Sequence, residues 1–188
     1  MKKLVFLSAL LALVSAPALA QVTDFDPTAR DAVVEYGGPD DVVIETDEGP
    51  VTIIAEIAET PEQRQRGMMW REEIGDNEGM LFDFGEVRQV NIWMRNTLIS
   101  LDVIYIREDG TIAKIIAHAQ PLSRRQLRSD VPVASVLEIG PGRSEALGIE
   151  PGDLVRHDLF GTVDEEPSEP VEETETESPA ESTPGEDG

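Results

Sequence analysis

The densest set of chemically capable residues lies mid-chain. Trp93-Met94-Arg95-Asn96-Thr97 is followed by Ser100 and Asp102, with Arg71 upstream. Arg95 offers a planar fork suited to a carboxylate or phosphate, and Asp102 can orient that fork. Asn96 and Thr97 can bond their own backbone and so shape a polar loop. Arg71, Trp93, Arg95, Asn96, Thr97 and Asp102 therefore form a candidate binding surface for an anionic ligand or a protein partner. Asp102 and Arg95 also admit an enzymatic reading, as acid/base and anion clamp. A structural reading stays open beside both: Trp93 in the core, Asn96-Thr97 making a turn, and Asp102 pinning a loop amide.

Methionine supplies a second set. Met69, Met80 and Met94, with His118, are residues that could hold Cu(I) through thioethers and imidazole. The same methionines, and Met68, are interleaved with Leu81, Phe82, Phe84 and Trp93, the pattern of an irregular core filled by flexible side chains. His118 and His157 are the only histidines, too few and too scattered for a catalytic zinc with three protein ligands. The expectation is no cofactor. Gly142-Arg143-Ser144-Glu145 loosely echoes a nucleophile elbow but lacks the second glycine, so Ser144 reads as a helix cap. Arg124-Arg125-Gln126-Leu127-Arg128 is one positive cluster, placed in a loop, able to steer an anion or to balance neighbouring acids.

Composition narrows the classes. The chain has 188 residues, 15 basic and 38 acidic, a formal charge of −23, and no cysteine. Disulfides, thiolate metal sites and a thiol nucleophile are thereby excluded. So strong an acidic balance argues against nucleic acid, whose phosphates reward a basic surface.

The positioning elements are short and β-like. Val42-Val43-Ile44 and Val51 to Ala58 flank the turn Asp47-Glu48-Gly49-Pro50 and predict a hairpin. Thr60-Pro61-Glu62-Gln63 predicts a helix start, with Thr60 as N-cap, Pro61 at the first position and Gln63 closing a capping box. Strands are expected at 79–84, 89–94, 101–107, 111–119, 135–139 and 154–157, with a hairpin at Asp109-Gly110. A second short helix is expected between Pro141 and Leu147. The fold class that follows is mainly β (α+β): a compact, largely antiparallel, barrel-like or sandwich-like sheet of about eight strands with two short helices.

The ends read differently. Met1 to Ala20 has Lys2 and Lys3, an apolar run from Leu4 to Val14, and the small-residue site Ala18-Leu19-Ala20. This predicts a secretory signal peptide over 1–20, and export to the periplasm or beyond. Residues 21–41 read as an arm or linker around Pro27, Gly37-Gly38 and Pro39. Residues 42–162 form the folded unit. Residues 163–188 hold 11 acids, no bases and no Leu, Ile or aromatic residue. Such a segment is expected to be disordered, as a solvating tail or an acidic interaction arm. The tail carries −11 and residues 21–162 carry −14.

One string is specific. It runs Glu59-Thr60-Pro61, then Arg66-Gly67-Met68-Met69-Trp70-Arg71, Gly79-Met80-Leu81-Phe82, Ile92-Trp93-Met94-Arg95-Asn96-Thr97, Leu101-Asp102-Val103-Ile104 and Val136-Leu137-Glu138-Ile139. It resembles the bacterial and archaeal family known as domain of unknown function 192, over roughly Val51 to Val155. Ile92 stands where that family often has Phe, and Arg95 where it often has Lys. The resemblance implies a small, often exported, β-rich domain and implies no function. The expectation is an exported binding or interaction module without catalysis, centred on the Arg95-Asn96-Thr97 loop. It would take a small ligand or a protein, without nucleic acid and without membrane insertion once the signal is removed.

Overall fold

The computed structural model describes residues 25–163. The expected signal peptide and, beyond Val163, the acidic tail lie outside the described residues. Strands β1 (Gly37–Thr46) and β2 (Gly49–Ala58) pair antiparallel around Asp47-Glu48. β1 thus begins five residues before the expected start. Helix α1 (Pro61–Arg66) follows at once. Its capping box is formed: the Gln63 amide donates to Thr60 Oγ1 (3.2 Å), and the Thr60 amide donates to Gln63 Oε1 (2.8 Å). The chain then enters β3 (Glu78–Ile92), which lies parallel to β2. A crossover between parallel neighbours needs a dozen or more residues, and 59–77 supplies them.

β4 (Leu101–Ile106) and β5 (Ile112–Ala119) form the hairpin expected at Asp109-Gly110. Gly110 is required there: its φ is +82°, and a Cβ would stand 2.7 Å from the Val155 carbonyl oxygen. β6 (Leu127–Ile139), α2 (Arg143–Ala146), β7 (Leu154–Arg156) and a 3₁₀ turn at Asp158–Phe160 complete the order. Arg128 accordingly belongs to a strand, not to the loop expected for it.

The strands form one sheet in the order β5-β4-β6-β3-β2-β1-β7. It curls into a half-barrel whose two ends meet where Thr111 pairs with Leu154. All ladders but β2–β3 are antiparallel. Seven strands replace the expected eight because 79–84 and 89–94 are parts of one long strand. Its register against β6 slips between Asp83 and Arg88 and then resumes at Arg88–Val133. Gly85 takes the bend at φ +67°, with its amide bonded to Asp83 Oδ1 (2.7 Å).

Both faces of the central strands are covered. On one face Leu81, Ile104, Ile106, Leu137 and Ile139 join β1 and β2 residues in the barrel core. On the other, Met80, Phe82, Val103, Tyr105 and Val136 pack with Met68 and Met94 from the loops. β4 is buried at all six positions. Alternation therefore fails as a guide to exposure in β4 and β6, because each side has a core of its own.

Candidate functional site

The second core is not closed. A cleft of about 230 Å³ opens beside it. Its walls come from the end of α1 (Arg64, Arg66), the following loop (Met68, Met69), β3 (Phe82, Phe84, Arg88), and Trp93 with Thr97. At its floor stands Glu138 of β6.

Two short segments hold the cleft open. Gly67 ends α1 at φ +46°, and a Cβ there would come within 3.1 Å of the Phe82 ring. The Gly67 carbonyl accepts the Tyr36 hydroxyl (2.8 Å). Trp70, at φ +67°, donates its amide to the Asn96 carbonyl (2.9 Å) and its indole N–H to the Thr28 carbonyl (3.0 Å). Asn96 adopts φ +62°, a conformation that asparagine tolerates. Its side-chain amide points at Met69 Sδ (3.7 Å). The two strings of the family resemblance, 66–71 and 92–97, are thus laced to each other. Residues 25–36 fasten the assembly from outside: Arg66 donates to the carbonyls of Pro27 and Ala29, and Gln63 to that of Glu35.

Glu138 is the unusual group. Only 5 % of it is exposed, and among the described residues its carboxyl has no hydrogen bond or ion pair. No fully sealed side-chain oxygen or nitrogen among the described residues lacks a partner, so the Glu138 carboxyl must reach the open cleft. Burial pushes its pKa up to about 8, although the nearby Arg71 guanidinium pulls the other way. Burial therefore favours the neutral form of this carboxyl over the charged one.

The walls above it are cationic. The Arg64 and Arg88 guanidinium carbons lie 6.0 and 5.0 Å from the Phe84 ring centroid. Arg64 donates to the carbonyls of Glu59 and Asp83, and Arg88 pairs with Glu86 at 3.2 Å. Carbonyl partners fix an arginine without cancelling its charge.

The residues singled out in the sequence do not converge. Trp93 is half-exposed at the lip, and Thr97 is a buried wall residue. Asn96 is a loop-shaping residue. Arg95 is exposed and lies outside, in a shallow depression with Trp93, Arg124 and Gln126. Arg71 pairs with Glu56 and lies over the Tyr36 ring (5.7 Å). It reaches the cleft only through its charge on Glu138.

Asp102 is committed elsewhere. Fully buried in β4, it accepts the amides of His118 (2.9 Å), Gly142 (3.0 Å) and Ser144 (3.0 Å) and the Ser144 hydroxyl (2.6 Å). Burial alone would raise its pKa, but these four donors outweigh it and hold the carboxyl below its ordinary value. Every strong acceptor direction is occupied, so the acid/base role weighed for Asp102 with Arg95 has no geometric support. Ser144 is held by Asp102 and is not itself the cap; Gly142 occupies that position.

The copper set is also dispersed. Met80 and Met94 are sealed in the second core. His118 is exposed on the face toward Gly142, where a Cβ would meet its ring at 3.1 Å. Among the described residues no cluster of three His, Cys, Asp or Glu side chains could hold a metal.

Two solved structures share the fold at substantial identity. One, from Sinorhizobium meliloti 1021 and described as a candidate transcription regulator, is 40% identical with a TM-score of 0.65, covering 68% of this chain and 99% of its own. The other, a protein of unknown function from Novosphingobium aromaticivorans DSM 12444, is 33% identical with a TM-score of 0.61, covering 72% and 99%. No curated protein matches the chain. The model of the family DUF192, described as Uncharacterized ACR, matches residues 42–157. That span contains six of the seven strands whole and β1 from Val42 onward, and with them every residue of the cleft: the chain belongs to the DUF192 family.

Proposed function

We propose that this protein is an exported, non-catalytic binding module whose cleft, between α1, β3 and the Trp93–Thr97 loop, receives a small ligand or a side chain of a partner. The observation that carries the reading is Glu138: a buried carboxyl with no hydrogen-bond or ion-pair partner among the described residues, lining an open cleft together with a half-exposed tryptophan. A buried polar group left unpaired costs free energy, so a ligand that supplies its partner recovers that cost on binding. The small cavity and the aromatic lip favour one compact group over an extended chain. The Arg95-Asn96-Thr97 loop takes part through Thr97 directly and through Asn96 by position. DNA contact is no part of this reading, because residues 21–162 carry −14.

The test is a fragment screen by NMR, observing the methyl groups of Met68 and Met69 and the Trp93 indole. Small acids, alcohols, amides and amines are titrated singly. At least one class is expected to shift all three signals, and Trp93→Ala is expected to weaken it at least tenfold while leaving the fold intact. Fragments that perturb only the Arg95–Arg124 depression, or none at all, would overturn the cleft as the site. The export half has its own readout. Expressed with its natural start in a Gram-negative host, the protein should be recovered from the periplasm with Gln21 at its N-terminus by mass spectrometry. A cytoplasmic product that retains Met1 would refute it.

A further inference from the structure

We propose that the cleft is a site for small organic acids, and that the anion enters together with one proton held by Glu138. This rests on the cleft being the binding site, and it adds the chemical class and the coupling.

The argument starts from charge. The chain has 38 acids against 15 bases, yet the cleft is lined by three arginines, Arg64, Arg66 and Arg88, and a single acid, Glu138. Arg64 and Arg66 are fixed by backbone carbonyls. Among the described residues neither pairs with a carboxylate, so two full positive charges border the cleft without a counter-ion. A cationic ligand would have to pass them. An anion is drawn to them, and guanidinium is the side chain best matched to a carboxylate.

The floor decides the protonation. An ionised Glu138 would repel an incoming carboxylate, and a protonated one can donate to it or to a neighbouring ligand oxygen. Burial favours the protonated form, with a pKa of about 8 in the empty cleft, and a nearby anion favours it further. The groups that face Glu138 allow this. Arg71, from the loop after α1, opposes it but is held by Glu56 of β2. Tyr36 and Tyr105 are neutral phenols whose pKa values burial raises further. Arg64, Arg66 and Arg88 line the same cleft from α1 and β3, and as cations they oppose it too, whereas burial outweighs the one cation that acts on Glu138, Arg71. The volume, about 230 Å³, limits the ligand to a compact molecule below drug size. Its apolar part would lie against Met68, Phe82 and Trp93.

The experiment uses the mature chain, residues 21–188, with lactate, pyruvate, benzoate, methylammonium and acetamide as probes, by calorimetry from pH 5.5 to 9.5. Measurements at each pH are repeated in two buffers of different ionisation enthalpy, to count protons taken up. At least one acid is expected to bind with uptake of a proton that approaches one near pH 9, its affinity falling about tenfold per pH unit above pH 8. Glu138→Gln should retain that acid and lose both the uptake and the pH dependence. Arg88→Met should weaken it at least fivefold. Methylammonium binding that strengthens with pH, acetamide binding as well as the acids, or acid binding with no proton uptake would each overturn the proposal while leaving the cleft as the site. If none of the five probes binds, the organic-acid class is refuted. The fragment screen then decides separately whether the cleft itself survives.

Discussion

Replacing Asp102 by alanine should cost roughly 3–5 kcal/mol and bring the domain to the edge of unfolding at 25 °C. Three backbone amides and one hydroxyl converge on this carboxylate, from β5, from the turn before α2 and from α2 itself. Alanine leaves all four donors without an acceptor, and each buried orphan costs about 1–3 kcal/mol, with incomplete additivity. Domains of this size are stable by only about 5–15 kcal/mol. Asp102→Asn retains one acceptor oxygen and should fall between the two. The pH dependence has a definite sign. The folded carboxyl titrates below its ordinary value, so its contribution is fully present above about pH 4 and is lost as pH falls through the depressed value. Urea midpoints at pH 7 and pH 3 check this. A variant as stable as the wild type at pH 7 would mean that α2 is held by other contacts.

Glu138→Gln should act in the opposite direction and over a different range. The folded carboxyl keeps its proton to about pH 8, whereas in the unfolded chain it ionises near the ordinary 4.5. Below that value both states hold the proton and the titration of Glu138 costs nothing. As pH rises through the window the unfolded state gains from ionisation while the native state does not, so stability declines. The decline reaches about 3 kcal/mol at pH 7 as an upper figure, and levels off above pH 8. Glutamine removes the slope. The variant is expected to match the wild type near pH 4.5 and to exceed it by roughly 1–3 kcal/mol at pH 8. Chemical denaturation across that interval measures it, and parallel curves for the two proteins would show that Glu138 is ionised in the native state.

These two acids also show how far the sequence could be read. Local chemistry was legible: Thr60, Pro61 and Gln63 made the cap they spell, and Asp109-Gly110 made its hairpin. The mainly β class followed from strand spacing. The expected strands 79–84 and 89–94 left 85–88 between them, but β3 runs through those residues on a bulge, so the two expected strands are one. Asp102 pinning a loop amide was one of the readings left open and is the one the structure shows, but which amides it holds was not legible, because its partners lie 16 to 42 residues away. Glu138 was quoted only as part of a family string. In Val136-Leu137-Glu138-Ile139 it alternates like a solvent-facing residue, and its burial comes from a second core assembled by loops around Met68 and Met94, far earlier in the chain. The faint signal was β4, where Leu101, Val103, Ile104, Tyr105 and Ile106 are apolar on both faces. A sheet so covered leaves no wet side for the strand beside it.

The single parallel ladder bears on the order of assembly. The hairpins β1–β2 and β4–β5 join near neighbours in sequence and can form early, because short loops cost little to close. The β2–β3 ladder needs the whole 59–77 connection in place before its first bond is rewarded, and β3 must also find β6 about 50 residues on. The cleft sits on this late seam, walled by the connection on one side and by β3 and β6 on the other. Amide exchange at Met68 to Trp70 should therefore report openings of the seam that leave both hairpins intact. A ligand bound in the cleft would act as a clasp across this seam, joining the 59–77 connection to β3 and β6.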